Sequence, residues 1–275
     1  MCVMLVEKSK LDDAPIALSS SLVERGKMLG DTLARLSPAE RIARLRHDLD
    51  GPIVLTLGFG IEGQVLFHWI CERNIDVDVV TLDTGRLFPE TYELWAETEH
   101  RYGRKIRAVY PDHMALESLI EKQGIDGFYA SKRARQACCD VRKTRPLDRA
   151  LAGASAWITG LRADQSSERR KAGLVSVDSN RGMLKVNPLF DWSREAVLAV
   201  VKANDIPINS LHAKGFVSIG CAPCTRAVQP GEPERNGRWW WESGGNRECG
   251  LHVQRKHDRS SKDAARSMEN YAGCG

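Results

Sequence analysis

Apolar and polar positions follow one another along the chain in a pattern that predicts a parallel β-sheet flanked by helices. Residues 53–57 and 77–82 are apolar runs of strand length, and residues 106–110 form a third. Helical apolar spacing fills the intervals at residues 62–73 and 89–102. Strands that alternate with helices of this length form right-handed βαβ units. We therefore expect an α/β protein with a Rossmann-like parallel sheet and helices on both faces.

Two flanking segments are expected to lie outside this repeating unit. A serine–proline–alanine–glutamate sequence at residues 37–40 is a helix N-cap signature, so residues 1–50 are interpreted as an N-terminal helical segment. The α/β domain is assigned to residues 51–230. Residues 231–275 lack a clear period and contain three consecutive tryptophans, which predicts a mobile C-terminal tail that packs on the domain through these rings.

Composition and charge narrow the class of protein only slightly. A chain of 275 residues with 42% hydrophobic and 28% charged residues is long enough for one good-sized core. The first twenty residues carry acidic side chains and no long apolar run, which argues against a signal peptide or a membrane span and favours the cytoplasm. The net charge of +4 is small, but basic residues cluster at 132–135, 142–145 and 169–171. These runs lack interleaved aromatic residues, so an anionic small molecule is favoured over nucleic acid.

A glycine-rich turn follows the first predicted strand. Residues 58–63 read Gly-Phe-Gly-Ile-Glu-Gly, and Asp83 ends the next strand, which is the spacing of a nicotinamide-binding unit. Glu62 counts against that reading, because a carboxylate in the first helical turn repels a pyrophosphate. Glycines at a strand-to-helix turn still expose backbone N–H groups to an anion. We therefore expect a nucleotide at this turn without fixing which one.

Five cysteines carry the candidate chemistry. Cys138 and Cys139 are adjacent, and Cys221 and Cys224 form a Cys-x-x-Cys sequence. Two pairs of thiolates suit either zinc or an iron–sulfur cluster, and the adjacent pair is easier to place on a cluster, whose ligands bind separate iron atoms. A vicinal disulfide and a zinc module that binds nucleic acid remain as alternatives. Cys249, which precedes His252 by three residues, has the setting of an activated nucleophile, so the set points to a redox enzyme.

Several motifs together resemble one enzyme family. Residues 82–92, 138–147, 159–166, 221–226 and 237–252 occur in the order found in the assimilatory adenylyl-sulfate reductases, the iron–sulfur branch of the sulfonucleotide reductases. The resemblance implies an adenine nucleotide alpha hydrolase-like fold and reduction of adenosine 5′-phosphosulfate to sulfite and AMP, with thioredoxin as electron donor. Relatives that lack the cluster cysteines use the 3′-phosphorylated substrate, so the unphosphorylated nucleotide is favoured here, with use of the 3′-phosphorylated form as the alternative.

The resemblance also assigns roles to individual residues. It implies a [4Fe–4S] cluster on Cys138, Cys139, Cys221 and Cys224, with Cys249 as the nucleophile that forms an S-sulfocysteine. The substrate contacts that it implies are Gly58, Phe59, Gly60, Glu62, Asp83, Thr84, Gly85, Lys143, Arg162, Arg170, Arg235, Arg238 and His252.

One part of the chain departs from the family pattern. The nucleotide loop of the family reads Ser-Phe-Gly-x-Glu-Asp, whereas this chain has Gly58 and Gly63 at the serine and aspartate positions. A tRNA-thiolating enzyme of related fold is a rival reading, but its Ser-Gly-Gly-x-Asp-Ser turn is absent from the sequence. The sequence leaves a homo-oligomer open.

Overall fold

The computed structural model describes residues 20–242 and Leu251. Its strands form one six-stranded sheet in the order β3-β2-β1-β4-β6-β5. The first five in that order are parallel, and β5 pairs antiparallel with β6 at the edge. The strands are β1 Ile53–Thr56, β2 Asp78–Leu82, β3 Arg107–Val109, β4 Ala156–Ile158, β5 Val175–Asp178 and β6 Met183–Val186.

Eight α-helices surround this sheet within the described ranges. They are α1 Ser20–Leu33, α2 Pro38–Asp48, α3 Ile61–Glu72, α4 Pro89–Tyr102, α5 His113–Gln123, α6 Lys132–Cys139, α7 Arg145–Ala150 and α8 Arg194–Ala203. A π-helical turn, Asp140–Thr144, joins α6 to α7. None of the helices in the described residues is long and apolar enough to cross a membrane.

Both faces of the sheet are covered, as predicted. Alternate residues of a strand point to opposite faces of the sheet. On one face Leu55 packs with α3 residues such as Phe67, and on the other Val54 packs with Trp157 of β4 and Leu147 of α7. The fold class is therefore confirmed, except that the prediction of a parallel sheet did not include the antiparallel edge strand β5.

The order of the strands locates the functional site. The chain proceeds outward from β1 to β3 and then returns to place β4 on the other side of β1. Loops that follow two such strands diverge to opposite faces of the sheet and leave a crevice at their carboxyl ends. The predicted site motifs after β1 and β4 consequently meet at this crevice.

The predicted tail begins inside the packed part of the chain. Residues 231–242 contact the domain, and Arg238 forms an isolated antiparallel bridge with Thr225. Trp239 is 1% exposed, whereas Trp240 is 48% exposed, so one of the three rings anchors this segment and another does not. The boundary predicted after residue 230 stays a prediction. The remainder of the predicted tail lies outside the described residues except for Leu251.

Candidate functional site

A cavity of about 250 Å³ lies at the carboxyl ends of β1 and β4. Its floor includes Thr56 of β1 and Thr159 after β4, and the indole of Trp157 donates a 2.8 Å hydrogen bond to the Thr56 hydroxyl. Eight of the predicted substrate contacts line it, namely Gly58, Phe59, Gly60, Glu62, Thr84, Lys143, Arg235 and Arg238. The structure thus brings together motifs that are far apart in sequence.

The loop after β1 presents backbone to this cavity. Phe59 has a φ of 56°, in the left-handed region that a phenylalanine seldom adopts, and its ring is buried against Trp95 at 5.7 Å between centroids. Gly60 caps α3 without a side chain. A helix that starts this way leaves its first N–H groups available to an anion. Phe59 therefore contributes its main chain to the cavity and its side chain to the core.

The predicted contacts after β2 have mainly a structural environment. Asp83 accepts hydrogen bonds from the Gly85 N–H at 2.9 Å and from the Tyr92 hydroxyl at 2.8 Å, so its carboxylate shapes the turn. Burial together with this carboxylate raises the pKa of Tyr92 to about 12. Thr84 lies deeper, with its hydroxyl 3.3 Å from the sulfur of Cys221. Thr84, which lines the cavity, therefore links the turn after β2 to Cys221.

The four cysteines predicted to bind metal converge beside the cavity. Cys138 and Cys139 end α6, and Cys221 and Cys224 flank the short turn Ala222–Cys224. Phe128 and Trp239 pack on Cys221 and Cys224, with Cys138 at the edge of the same apolar cluster. Cys139, Cys221 and Cys224 are buried. We call these four residues the thiol cluster.

Burial and neighbouring charges shift the pKa values of the thiols in different directions, and burial raises the pKa of Cys138. Burial raises the pKa of Cys221, but Lys143, the Thr84 hydroxyl and Arg238 outweigh it, and the net shift is downward. Burial and the neighbouring Cys221 raise the pKa of Cys224 to about 12. Four neighbouring thiolates, three of them buried, would repel one another, so full ionisation of the set requires further positive charge.

The donor set fits a thiolate-bound metal centre. Three buried N–H groups next to the cysteines, Arg238 Nε, Trp239 Nε1 and Trp241 Nε1, have no acceptor among the described residues. Thiolate and sulfide sulfurs accept such bonds. No three His, Cys, Asp or Glu side chains in the described part of the chain are arranged around a single metal ion. Four cysteine sulfurs are a ligand set that zinc and iron–sulfur clusters both accept.

Arg162 lies behind the cavity and is occupied by carboxylates. Its side chain is fully buried, and its Nε donates to Glu62 at 2.8 Å, its Nη1 contacts Asp164 and its Nη2 donates to both oxygens of Glu234 at 3.0 Å. Although burial opposes the charge, the surrounding carboxylates raise the pKa of Arg162. The predicted role of Arg162 as a direct substrate contact stays a prediction, and in this structure its donors are already in use.

The segment 231–242 is fixed by a stacked arrangement of charged and aromatic groups. The guanidinium groups of Arg135 and Arg238 lie 4.5 Å and 4.9 Å from the Trp239 ring centroid. Arg135 also forms a buried ion pair with Glu242 at 2.7 Å. Trp239 itself has a φ of 44°, a left-handed conformation that this packing must stabilise. The arrangement joins α6, which carries two of the cysteines, to the segment that carries Arg235 and Arg238.

Four of the predicted contacts in the described residues do not line the cavity, namely Asp83, Gly85, Arg162 and Arg170. One cationic residue that lines it, Arg169, was not among the predicted contacts. Arg170 is exposed and does not line the cavity, whereas its neighbour Arg169 does. Arg169 donates to Gln165, which also hydrogen-bonds Glu62. The short turn Arg169–Lys171 has no periodicity that separates one arginine from the next, so no sequence signal could distinguish them. Gly85 is close to the cavity but does not line it.

Cys249 and His252 lie outside the described residues. Leu251, two positions after Cys249, lines the cavity. It packs against the buried group that contains Trp157 and Leu147, and also against the apolar group that contains Cys221 and Cys224. Arg135 was recognised in the sequence only as part of a basic run, because its partners Trp239 and Glu242 are more than a hundred residues away.

Known proteins are similar to this chain over most of its length. The family profile described as the phosphoadenosine phosphosulfate reductase domain matches residues 52–227. An adenosine 5′-phosphosulfate reductase of Sinorhizobium fredii (strain USDA 257) is 50% identical over 235 residues, covering 86% of this chain and 93% of that protein. One from Allochromatium vinosum is 46% identical over 224 residues, covering 81% and 87%. 

A solved structure is similar as well. The phosphoadenylyl-sulfate reductase of Candida auris, crystallised as a phosphate complex, superposes with a TM-score of 0.64 at 28% identity, covering 78% of this chain and all of that one. The profile match spans well over half of the chain and contains the switch-point crevice and all four clustered cysteines. The chain belongs to the phosphoadenosine phosphosulfate reductase domain family.

Proposed function

We propose that this protein reduces adenosine 5′-phosphosulfate to sulfite and AMP, with a thioredoxin-type dithiol as electron donor, in assimilatory sulfate reduction. One observation carries the proposal: Lys143 connects the cavity to the thiol cluster. Its side chain lines the cavity and interacts with Cys221 of the thiol cluster. The relatives named above as adenosine 5′-phosphosulfate reductases support this substrate.

Binding is assigned to the cationic residues of the cavity and to the loop after β1. Lys143, Arg235 and Arg238 offer the charge that a phosphosulfate requires, and arginine guanidinium groups match its oxygens in pairs. These cationic residues would hold the anion without taking part in bond making or breaking. The N-terminal turn of α3, which carries Glu62, adds backbone N–H groups for acceptor atoms of the nucleoside.

The first half-reaction is a nucleophilic substitution at sulfur. The thiolate of Cys249 attacks the sulfur atom of the phosphosulfate, the bond from that sulfur to the bridging oxygen breaks, and AMP leaves with the electron pair. The product on the enzyme is an S-sulfocysteine. Leu251, which lines the cavity, follows Cys249 by two positions in the chain, and this short separation in sequence supports the assignment.

The second half-reaction is a thiol–disulfide exchange. A thiolate of reduced thioredoxin attacks Sγ of Cys249, sulfite departs with the electron pair of the sulfur–sulfur bond, and the second thiol of thioredoxin resolves the mixed disulfide. One dithiol becomes a disulfide while the sulfate sulfur gains two electrons, so the electrons balance. Cys249 returns to the thiol form.

We assign the thiol cluster to a [4Fe–4S] centre held by Cys138, Cys139, Cys221 and Cys224. Such a centre, when bound, supplies positive charge that compensates four thiolates beside the sulfate end of the cavity. The chain contributes Lys143 and the buried N–H donors of Arg238 and Trp239 around it. We also propose a cytoplasmic location, because a reducing compartment keeps these four cysteines from forming disulfides.

Steady-state kinetics test the proposal. Anaerobically purified protein with reduced thioredoxin should release sulfite from adenosine 5′-phosphosulfate, with a higher kcat/KM than from the 3′-phosphorylated nucleotide. Use of the 3′-phosphorylated form is the second candidate, which the family name and the Candida auris structure favour. A reversed preference would select that candidate, and no sulfite from either nucleotide would reject both.

A further inference from the structure

The cavity has two chemically different ends. At the thiol end, Lys143 and Arg238 interact with Cys221, and the Thr84 hydroxyl is 3.3 Å from its sulfur. At the other end, the carboxylates of Glu62 and Glu234 line the wall. An anionic phosphosulfate is therefore attracted to the first end, and the nucleoside extends toward the second. The ribose hydroxyls consequently lie nearer the carboxylates than the sulfate does.

The carboxylate end is organised by Arg162. Three carboxylates, those of Glu62, Asp164 and Glu234, bind this one buried guanidinium. Arg194 adds a weaker ion pair to Glu234 at 3.9 Å, and Arg169 is bound to Gln165. Three carboxylates and three guanidinium groups, those of Arg162, Arg169 and Arg194, thus lie at this end. Glu234 is the member contributed by segment 231–242, and both of its oxygens are 3.0 Å from Arg162 Nη2.

We propose that Glu234 determines specificity for a nucleotide with a free 3′-hydroxyl, an inference that rests on the proposed function. Glu234 lines the cavity, whereas its partner Arg162 is fully buried and does not, so the charge that an added 3′-phosphate dianion meets at this wall is that of the carboxylate. A ribose hydroxyl, in contrast, donates to a carboxylate favourably. Glu234 is thus a specificity residue, and Arg162 acts through it as a positioning residue rather than as a phosphate ligand.

Glu234→Gln tests the proposal because it removes the charge while keeping the shape. Dissociation constants of AMP and adenosine 3′,5′-bisphosphate are measured by calorimetry on the full-length protein, together with kcat/KM for the two phosphosulfates. In the wild type AMP should bind more tightly than the bisphosphate. In Glu234→Gln this ratio should fall by about tenfold or more, the size of one hydrogen bond to a charged group.

Two further variants complete the test. Glu232→Gln is the matched control, since it removes a carboxylate two positions away that pairs with Arg226 and does not line the cavity. It should leave the ratio unchanged. Glu234→Asp retains the charge and should preserve most of the discrimination, which a purely structural role of the glutamate side chain would not do.

The outcomes separate this inference from the proposed function. An unchanged ratio in folded Glu234→Gln would overturn the role of Glu234 even if the wild type releases sulfite normally. If Glu234→Gln does not fold, equal affinity of the wild type for the two nucleotides overturns it instead. Failure of the wild type to form sulfite from either substrate, with a ratio that still falls in the variant, would reject the reaction and retain the nucleotide specificity.

Discussion

Gly58 and Gly63 occupy the same loop but have different surroundings. A Cβ atom added at Gly58 would meet nothing within 4 Å, whereas one added at Gly63 would lie 2.8 Å from Leu57 Cδ1. The serine of the family pattern therefore fits at position 58 without rearrangement. An aspartate at position 63 requires Leu57, which is buried, to move.

This contrast predicts opposite outcomes for the two family-like substitutions. Gly58→Ser should unfold in urea at nearly the wild-type midpoint, while Gly63→Asp should lose about 1–3 kcal/mol through overpacking. Because Gly58 lines the cavity, the hydroxyl introduced by Gly58→Ser should meet the bound substrate, so the KM for the phosphosulfate should change more than kcat. Equal destabilisation by the two substitutions would show that the loop packs differently from this description.

A buried ion pair between Arg135 and Glu242 attaches segment 231–242 to α6. Arg135 has a side-chain exposure of 2%, and Glu242 compensates its charge. Glu242→Gln should therefore destabilise the protein by about 3–5 kcal/mol, because it leaves a buried guanidinium without its ion pair. Urea unfolding of the purified protein measures this loss.

A matched surface variant calibrates that measurement. Glu168 pairs with Lys171 on the surface, with side-chain exposures of 44% and 71%. Glu168→Gln should change the free energy of unfolding by less than about 0.5 kcal/mol. Similar losses in Glu242→Gln and Glu168→Gln would mean that the Arg135 pair does not hold segment 231–242 in place.

Elements with strong local signals were predicted well from the sequence. The helix predicted over 89–102 is α4 with the same bounds, and the N-cap signature at 37–40 is a complete capping box at the start of α2. Edge strand β5 was missed because it has only four residues and pairs only with β6. No helix separates it from β6, so the alternation of strands and helices that revealed the other strands is absent there. The π-helical turn after Cys139 was also missed, since a wider helical turn has no apolar period of its own.

At the site, the sequence motifs identified residues that meet at the cavity, and their roles as substrate contacts stay predictions. Lys143, Arg235 and Arg238 line the cavity, Arg162 is enclosed by carboxylates, and Phe59 contributes its ring to the core. Such roles depend on contacts between residues distant in sequence, for example Glu62 with Arg162. No local pattern encodes them.

For the molecule as a whole, the thiol cluster connects distant parts of the chain. Its members come from the end of α6 and from the turn Ala222–Cys224, about eighty residues later. If they hold an iron–sulfur centre, Cys221→Ser should lose bound iron and lower the thermal unfolding temperature, because metal binding is coupled to folding. Iron and acid-labile sulfide analysis, with thermal unfolding, measures both effects.

Cys71 supplies the control for that prediction. It lies in α3, away from the thiol cluster, and packs at the edge of the main core, where burial raises the pKa of its thiol. Cys71→Ser should keep the iron of the wild type. Full iron retention in Cys221→Ser would remove Cys221 from the proposed ligands, and loss of iron in both variants would indicate a general folding defect.

The central claim is that Cys249 carries the sulfite group between substrate and thioredoxin. Mass spectrometry of protein incubated with adenosine 5′-phosphosulfate, without any thiol donor, tests it most directly. The account predicts a gain of one SO₃ group on the peptide containing Cys249, one equivalent of AMP, and sulfite release when reduced thioredoxin is added. Cys249→Ser should still bind AMP and form no adduct. An adduct on another cysteine, or sulfite production by Cys249→Ser at the wild-type rate, would contradict the account.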